Sequence, residues 1–260
     1  MKVFANFLQK NGGDPTEEWA TMRRGKITAS EFHRFVKLDG TLRTGEMPES
    51  YLDEKLFERW TGRDLPNDFF KVDINNGLVI EEKAALFAEM KYGLQIQPVG
   101  FVSDDAERYG CSPDGLIGWT GLKADVPTEY LNGIKAGCCG IEIKGPSFKN
   151  QIRRVRTQEM PDDHWEQIQG SMLITGCQEW HFLSYSLACY LDGFPPLHLV
   201  IERDEKFCEN LYFSLAKFLA KYDTEFDKLC EANGGPPKLT TPPTPKPDNG
   251  GFADPNDINV

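Results

Sequence analysis

GIEIKGP, residues 140–146, alternates apolar and charged side chains until Gly145 and Pro146 end the run. A period of two belongs to a strand, so Glu142 and Lys144 share one face while Ile141 and Ile143 take the other. Taken alone, Glu-x-Lys on a strand is an ordinary exposed ion pair. A second segment, CSPDGLIG (111–118), puts Asp114 just ahead of a strand-like run, Gly115 to Trp119. Ser-Pro-Asp-Gly is in turn an ordinary turn sequence. If Asp114 lies on the neighbouring strand, its carboxylate meets that of Glu142. Two carboxylates held together repel and raise one another's pKa, which a divalent cation relieves. Hard oxygen ligands select Mg2+ or Mn2+. Such an ion acidifies a bound water and neutralises a phosphate oxygen, and Lys144 would orient or deprotonate the attacking water and stabilise charge at phosphorus. The trio Asp114, Glu142 and Lys144 therefore suits metal-dependent hydrolysis of a phosphate ester.

The rest of the chain supplies a scaffold for such a pair of strands. Helical spacing predicts helices at Ser30 to Val36, with Thr28 or Ser30 able to cap, at Tyr51 to Trp60, and at Val79 to Tyr92, ending at Gly93. A helix is also expected over His164 to Ile174 and a long amphipathic one over Lys206 to Cys230. Strands are expected at the short run Gln97 to Val102, and at Trp180 to Tyr190 and Leu197 to Ile201, the latter two rich in aromatic and β-branched residues. The order implies a mixed α/β domain with one central sheet, spanning residues 1–233. The remainder, 234–260, is rich in Pro, Gly and Thr and nearly devoid of large apolar residues, so it reads as a disordered tail.

Composition narrows the class. No apolar run approaches the roughly 18–20 residues that span a bilayer, and the N-terminal apolar stretch is too short for a signal peptide. No membrane association and a cytoplasmic location are expected. The seven cysteines lack regular CxxC spacing, and none precedes Cys111, which suits reduced thiols rather than a zinc or iron–sulfur centre. A formal net charge of −11 opposes non-specific binding to nucleic acid, though it leaves room for a local basic channel.

Six segments in order carry a resemblance: RRGKITASEFH (23–33), NNGLVIEEKAALF (75–87), CSPDGL (111–116), IEIKGP (141–146), EQIQGSM (166–172) and VIERDEKF (200–207). Together they resemble the YqaJ-like, phage lambda exonuclease family of the PD-(D/E)xK nuclease superfamily, over most of residues 17–220. The resemblance implies a restriction-endonuclease-like α/β core with a central mixed sheet flanked by helices. It implies that Asp114, Glu142 and the Ile143 carbonyl hold Mg2+, for which Mn2+ can substitute, that Lys144 is the catalytic lysine, and that Glu81 assists a second metal. Glu81 equally fits a solvent-facing helix acid like its neighbour Glu82. Gln167 matches the glutamine that arranges water and substrate, and also fits any polar helix position. Arg23, Ser30 and Ser112 match a pocket for the 5′-phosphate of one strand. Trp19 matches an aromatic near the point of strand separation, or is core.

The activity so implied is a 5′-to-3′ exonuclease that degrades one strand of 5′-phosphorylated double-stranded DNA to mononucleotides. Its 3′ tails would serve phage-type recombination with a single-strand annealing protein, and the enzyme would be a homotrimeric ring. The alternatives are an endonuclease or 3′-directed nuclease of the same fold, or a non-catalytic subunit that binds DNA ends or the annealing protein. The sequence departs from the family pattern in a longer stretch between Asp114 and Glu142, with Thr120 to Gly137 expected as a hairpin loop, and in Gly145 after the lysine. The shorter connection from Lys144 to Gln167 carries Arg153, Arg154 and Arg156, which either track DNA backbone or form a solvated face.

Overall fold

A computed structural model describes residues 17–65, 81–119 and 137–236 in full, and the backbone of 2–4, 10–11, 14–15 and 71–80. In chain order the first elements are strands β1 (Lys2–Phe4), β2 (Lys10–Asn11) and β3 (Asp14–Pro15), helix α1 (Glu17–Arg23), strand β4 (Ile27–Thr28) and a 3-10 turn over Ala29–Arg34. Helices α2 (Glu46–Thr61) and α3 (Lys71–Tyr92) follow, then strands β5 (Ile96–Gln97), β6 (Phe101–Ser103), β7 (Tyr109–Cys111), β8 (Gly115–Ile117) and β9 (Cys139–Lys144). The chain continues with α4 (Phe148–Thr157), a 3-10 turn over Asp162–His164, α5 (Trp165–Thr175), β10 (Glu179–Ser184), α6 (Leu187–Leu191), β11 (Leu197–Glu202) and α7 (Glu205–Asn233).

The central sheet is mixed and runs β11-β10-β9-β8-β5. β9 and β10 are parallel, with Glu142 opposite Phe182 and Lys144 opposite Ser184, and the other neighbours are antiparallel. Strand alternation then sorts the core. Ile141, Ile143 and Leu183 pack with Ala84 and Ala88 of α3. On the other face Trp180 and Phe182 join Ile168 and Met172 of α5 and Phe207 and Leu211 of α7. Gly140 makes that second layer possible, because a Cβ there would lie 2.3 Å from the Trp180 indole. Glu142 and Lys144 thus project on the α5 side.

A second sheet, β1-β6-β7-β4, accompanies the first. Its existence corrects the expected continuous strand from Gln97 to Val102. Pro98 lacks a donor for the ladder, and the chain leaves the central sheet after Gln97 and re-enters pairing in the other at Phe101. The run from Trp180 to Tyr190 also divides: β10 stops at Ser184, and Leu187–Leu191 is helical. An apolar run such as Leu-Ala-Cys-Tyr-Leu suits a short helix as well as a strand. The expected helix at Ser30 to Val36 is the 3-10 turn, with Val36 bridged to Leu42 instead. Thr28 occupies its N-cap position but makes no side-chain cap bond. α4 lies outside the helices that the sequence predicts, and it carries the arginine run.

α5 lies directly on the 3-10 turn. Gly170 permits the approach, since a Cβ there would meet the Phe32 ring at 2.5 Å. This contact couples the turn bearing Ser30 to the helix bearing Gln167. The expected hairpin at Thr120 to Gly137 lies, but for Gly137, outside the described residues. So does the expected tail beyond Pro236. Among the described residues, no helix is long and apolar enough to cross a membrane.

Candidate metal centre and phosphate pocket

β8 and β9 bring the two expected carboxylates together. The Asp114 N–H donates to the Ile141 carbonyl at 3.2 Å. The Ile143 N–H donates to Asp114 Oδ2 at 2.6 Å, so the carboxylate is clamped onto β9 by the backbone. Glu142 is buried, 3 % exposed, and its Oε1 accepts from Lys144 Nζ at 2.5 Å and from Gln167 Nε2 at 2.7 Å. Lys144 also donates to Gln167 Oε1 at 3.3 Å. The amide of Gln167 therefore bridges the acid and the amine from α5.

The electrostatics follow from this crowding. Burial, then the charges of Glu142 and Glu81, hold the Asp114 carboxyl well above the usual carboxylate range, against Lys144 and the Ile143 N–H. Burial works to lower the Lys144 ammonium, but Glu142 and Asp114 outweigh it and raise the group above its ordinary value. Glu81, half-buried on α3, thus acts on both, whereas Glu82 is exposed.

Such a cluster of acids is short of cationic charge, and its donors are hard oxygens, which fits a divalent ion. Among the described residues no group of three or more His, Cys, Asp or Glu forms a closed ligand set. An ion here would rest on Asp114 and Glu142 with backbone and water oxygens, the habit of Mg2+, which keeps several waters and takes one or two carboxylates.

The three expected phosphate ligands also converge. Arg23, at the end of α1, donates through Nη1 to Ser112 Oγ at 2.8 Å and through Nη2 to Ser30 Oγ at 3.2 Å. Burial lowers its pKa, against Tyr51, Glu31 and others. Trp19, half-buried, lies 4.5 Å from the guanidinium across its ring face. Surrounding backbone is pinned. Gly25 N–H donates to Glu58 Oε2 at 2.8 Å, the buried Tyr222 hydroxyl donates to the Gly25 carbonyl at 3.1 Å, and Tyr51 Oη accepts from Thr28 N–H at 3.3 Å. Ser112 stands two residues before Asp114, so pocket and centre adjoin along the chain. A guanidinium with two hydroxyls offers the donors a phosphate dianion takes.

Two further side chains stand beside the centre: Arg154, from the run read as either DNA-tracking or solvated, and His164, which had no sequence signal. Arg154 leaves the solvated face of α4 and donates to Ser184 Oγ at 3.1 Å, while its Nη2 lies 3.1 Å from His164 Nε2. Ser184 is the β10 partner of Lys144. His164 is pushed down to about 4, by burial first and then by the Lys144 and Arg154 charges, so it is a neutral acceptor at neutral pH. Arg153 and Arg156 stay exposed. The seven cysteines are thiols, five of them buried.

Residues 18–178 match the family model of the YqaJ-like viral recombinase domain. The chain is similar to LHK-Exo, an alkaline exonuclease from Laribacter hongkongensis, at 25% identity and a TM-score of 0.67, over 84% of this chain and 98% of that one. The structure of LHK-Exo with dAMP gives a TM-score of 0.68 over the same shares. A phage-related exonuclease from Haemophilus somnus 129PT matches at a TM-score of 0.52 with 14% identity, over 78% of this chain and 96% of that one. No curated protein matches the chain. The mixed sheet flanked by helices is the PD-(D/E)xK nuclease fold.

Proposed function

The chain belongs to the YqaJ-like viral recombinase family, and on that premise we propose that it is a divalent-metal-dependent 5′-to-3′ exonuclease that degrades one strand of duplex DNA. The coarser statement, a nuclease of the phage exonuclease type, is carried by the family and by the alkaline exonucleases it resembles. The observation that supports the finer one is the adjacency of two constellations, the Asp114–Glu142–Lys144–Gln167 cluster and the Arg23–Ser30–Ser112 pocket.

In this reading Asp114, Glu142 and the Ile143 carbonyl hold Mg2+, or Mn2+ in its place, and Glu81 serves a second ion. A bound divalent ion supplies Lewis acidity and an acidified water. The chain's own groups do the rest. Arg23, Ser30 and Ser112 bind the terminal 5′-phosphate and set the scissile linkage beside the carboxylates. Lys144, held by Glu142 and Gln167, places an ammonium where charge grows on the phosphate. Gln167 keeps that amine and Glu142 in register. The dAMP bound to LHK-Exo agrees with a mononucleotide product.

We extend the proposal to the assembly and the partners. A homotrimeric ring threaded by DNA would let a chain of net charge −11 stay on its substrate by topology, with cationic residues needed only at the channel. The 3′-tailed product would pass to a single-strand annealing protein. Residues 1–233 form the nuclease domain in this account, with 234–260 an appended tail.

The experiment is digestion of linear duplex labelled at either end, carrying 5′-phosphate or 5′-hydroxyl, with Mg2+ or EDTA. The proposal expects label loss from the 5′ end, faster with 5′-phosphate, and none in EDTA. Equal rates on the two ends would sink the pocket assignment. Cutting of closed circles or loss from the 3′ end would favour the endonuclease or 3′-directed alternative.

A further inference from the structure

The arginine run on α4 is the motif that the proposed function leaves unused, and its three members have different fates. Arg153 and Arg156 face solvent, while Arg154 turns toward the sheet. Two acceptors fix it there, Ser184 Oγ and His164 Nε2, each at 3.1 Å. The guanidinium also lies 5.7 Å from the Phe182 ring. Ser184 is itself locked, because its Oγ donates to Gln151 Oε1 at 2.8 Å and Gln151 Nε2 donates to the Ser184 carbonyl at 3.1 Å. These bonds use two of the five guanidinium N–H donors. The same arginine lines a cavity of about 400 Å3 between α4 and the segment leading to α5.

The order of groups across the sheet gives this cation a place on the substrate path. Ser112 and Asp114 lie in the connection leading into β8, Glu142 and Lys144 lie on β9, and Ser184, with Arg154 on it, lies on β10. Strand spacing puts β8 and β10 about 10 Å apart. In the reading above, a DNA strand with its 5′-phosphate on Arg23 and its scissile linkage at Asp114 and Glu142 would have β10 on the far side of that linkage. The cavity wall facing α4 carries Glu159, Asp162 and Asp163, which repel a phosphate, while the α4 wall attracts it.

We propose that Arg154 binds the DNA phosphate on the 3′ side of the scissile linkage, positioned by the Ser184 hydroxyl and the His164 ring. The proposal rests on the 5′-to-3′ exonuclease reading above. It makes Arg154 a substrate-binding residue for the strand being cut, across the scissile linkage from the terminal-phosphate pocket. A guanidinium rigidly held in this way selects one phosphate, whereas exposed Arg153 and Arg156 offer diffuse attraction.

The test removes the charge from either side of the contact. A duplex carrying one methylphosphonate, a neutral linkage, immediately 3′ of the first cut is compared with the unmodified duplex, for wild type, Arg154→Ala, Arg154→Lys and Arg156→Ala. In wild type the neutral linkage should lower kcat/KM about ten- to a hundredfold, the effect of losing a charge-assisted bond. Arg154→Ala should be slowed by a similar factor on normal DNA and lose little more on the modified duplex. Arg154→Lys and Arg156→Ala should keep their sensitivity to the modification. The proposal is overturned if the modification slows Arg154→Ala as much as wild type, or leaves wild type unaffected. Should Arg154→Ala not fold, Arg154→Gln takes its place in the same comparison. A wild-type protein that digests no strand from the 5′ end refutes the exonuclease reading itself, and this contact with it.

Discussion

Asp114 and Glu142 are two acids that the backbone forces together, and Lys144 with Gln167 is what the chain sets against their repulsion. The same alternation that makes Ile141 and Ile143 core residues makes this inevitable once β8 pairs with β9. That much was legible in GIEIKGP, because a period of two is a geometric statement about side-chain direction. His164 was not legible, because a single histidine with no spaced partner says nothing until the fold places it beside Lys144 and Arg154. Its depressed pKa has a measurable consequence. The fold favours neutral His164, so its contribution to stability is fully present above the unfolded value near 6.5 and is lost as pH falls toward about 4. Between pH 7.5 and 4.5 this amounts to about 2–3 kcal/mol. Urea denaturation in EDTA should show His164→Gln losing that much less stability than wild type over this interval. Equal losses would mean that another group carries the acid sensitivity.

Between elements, the decisive contact is α5 on the 3-10 turn that bears Ser30. It joins the proposed phosphate pocket to the proposed metal centre, and Gly170 allows it, with Phe32 fully buried against the helix. Gly170→Ala should therefore destabilise by about 1–3 kcal/mol through overpacking. It should lower the urea midpoint at constant m-value, and it should weaken the preference for 5′-phosphorylated ends more than the rate on 5′-hydroxyl ends. An unchanged midpoint would show that the ring moves aside freely. The long helix α7 was readable from its apolar spacing to within a few residues at each end, whereas α3 ends at the expected Tyr92 but starts at Lys71, well before the expected Val79. The second sheet, the break at Pro98 and the helical Leu187–Leu191 were not. Two- and three-residue strands carry too few residues to show a period, and a five-residue apolar run fits either conformation. The face of α4 that buries Arg154 was hidden for a related reason: helix phase depends on what the helix packs against.

At the scale of the whole molecule, the proposed function asks a chain of net charge −11 to hold a polyanion. The proposed ring resolves this by enclosing the duplex, and it predicts a mass close to three chains by light scattering at micromolar concentration, where a monomer would contradict it. Within each subunit the strand would run from Arg23 past Asp114 and Glu142 toward Arg154, in the order the central sheet sets. Everything in that path depends on the centre being a nuclease site, and Lys144 is its most specific member, since an ion pair kept only for stability could be removed without chemical effect. The direct measurement is release of acid-soluble nucleotide from 5′-phosphorylated duplex in Mg2+ by wild type and Lys144→Ala, with duplex binding measured in parallel. The expected loss is about a hundred- to a thousandfold in rate, with binding changed only a few-fold. Cleavage by Lys144→Ala at a rate near that of wild type would contradict it.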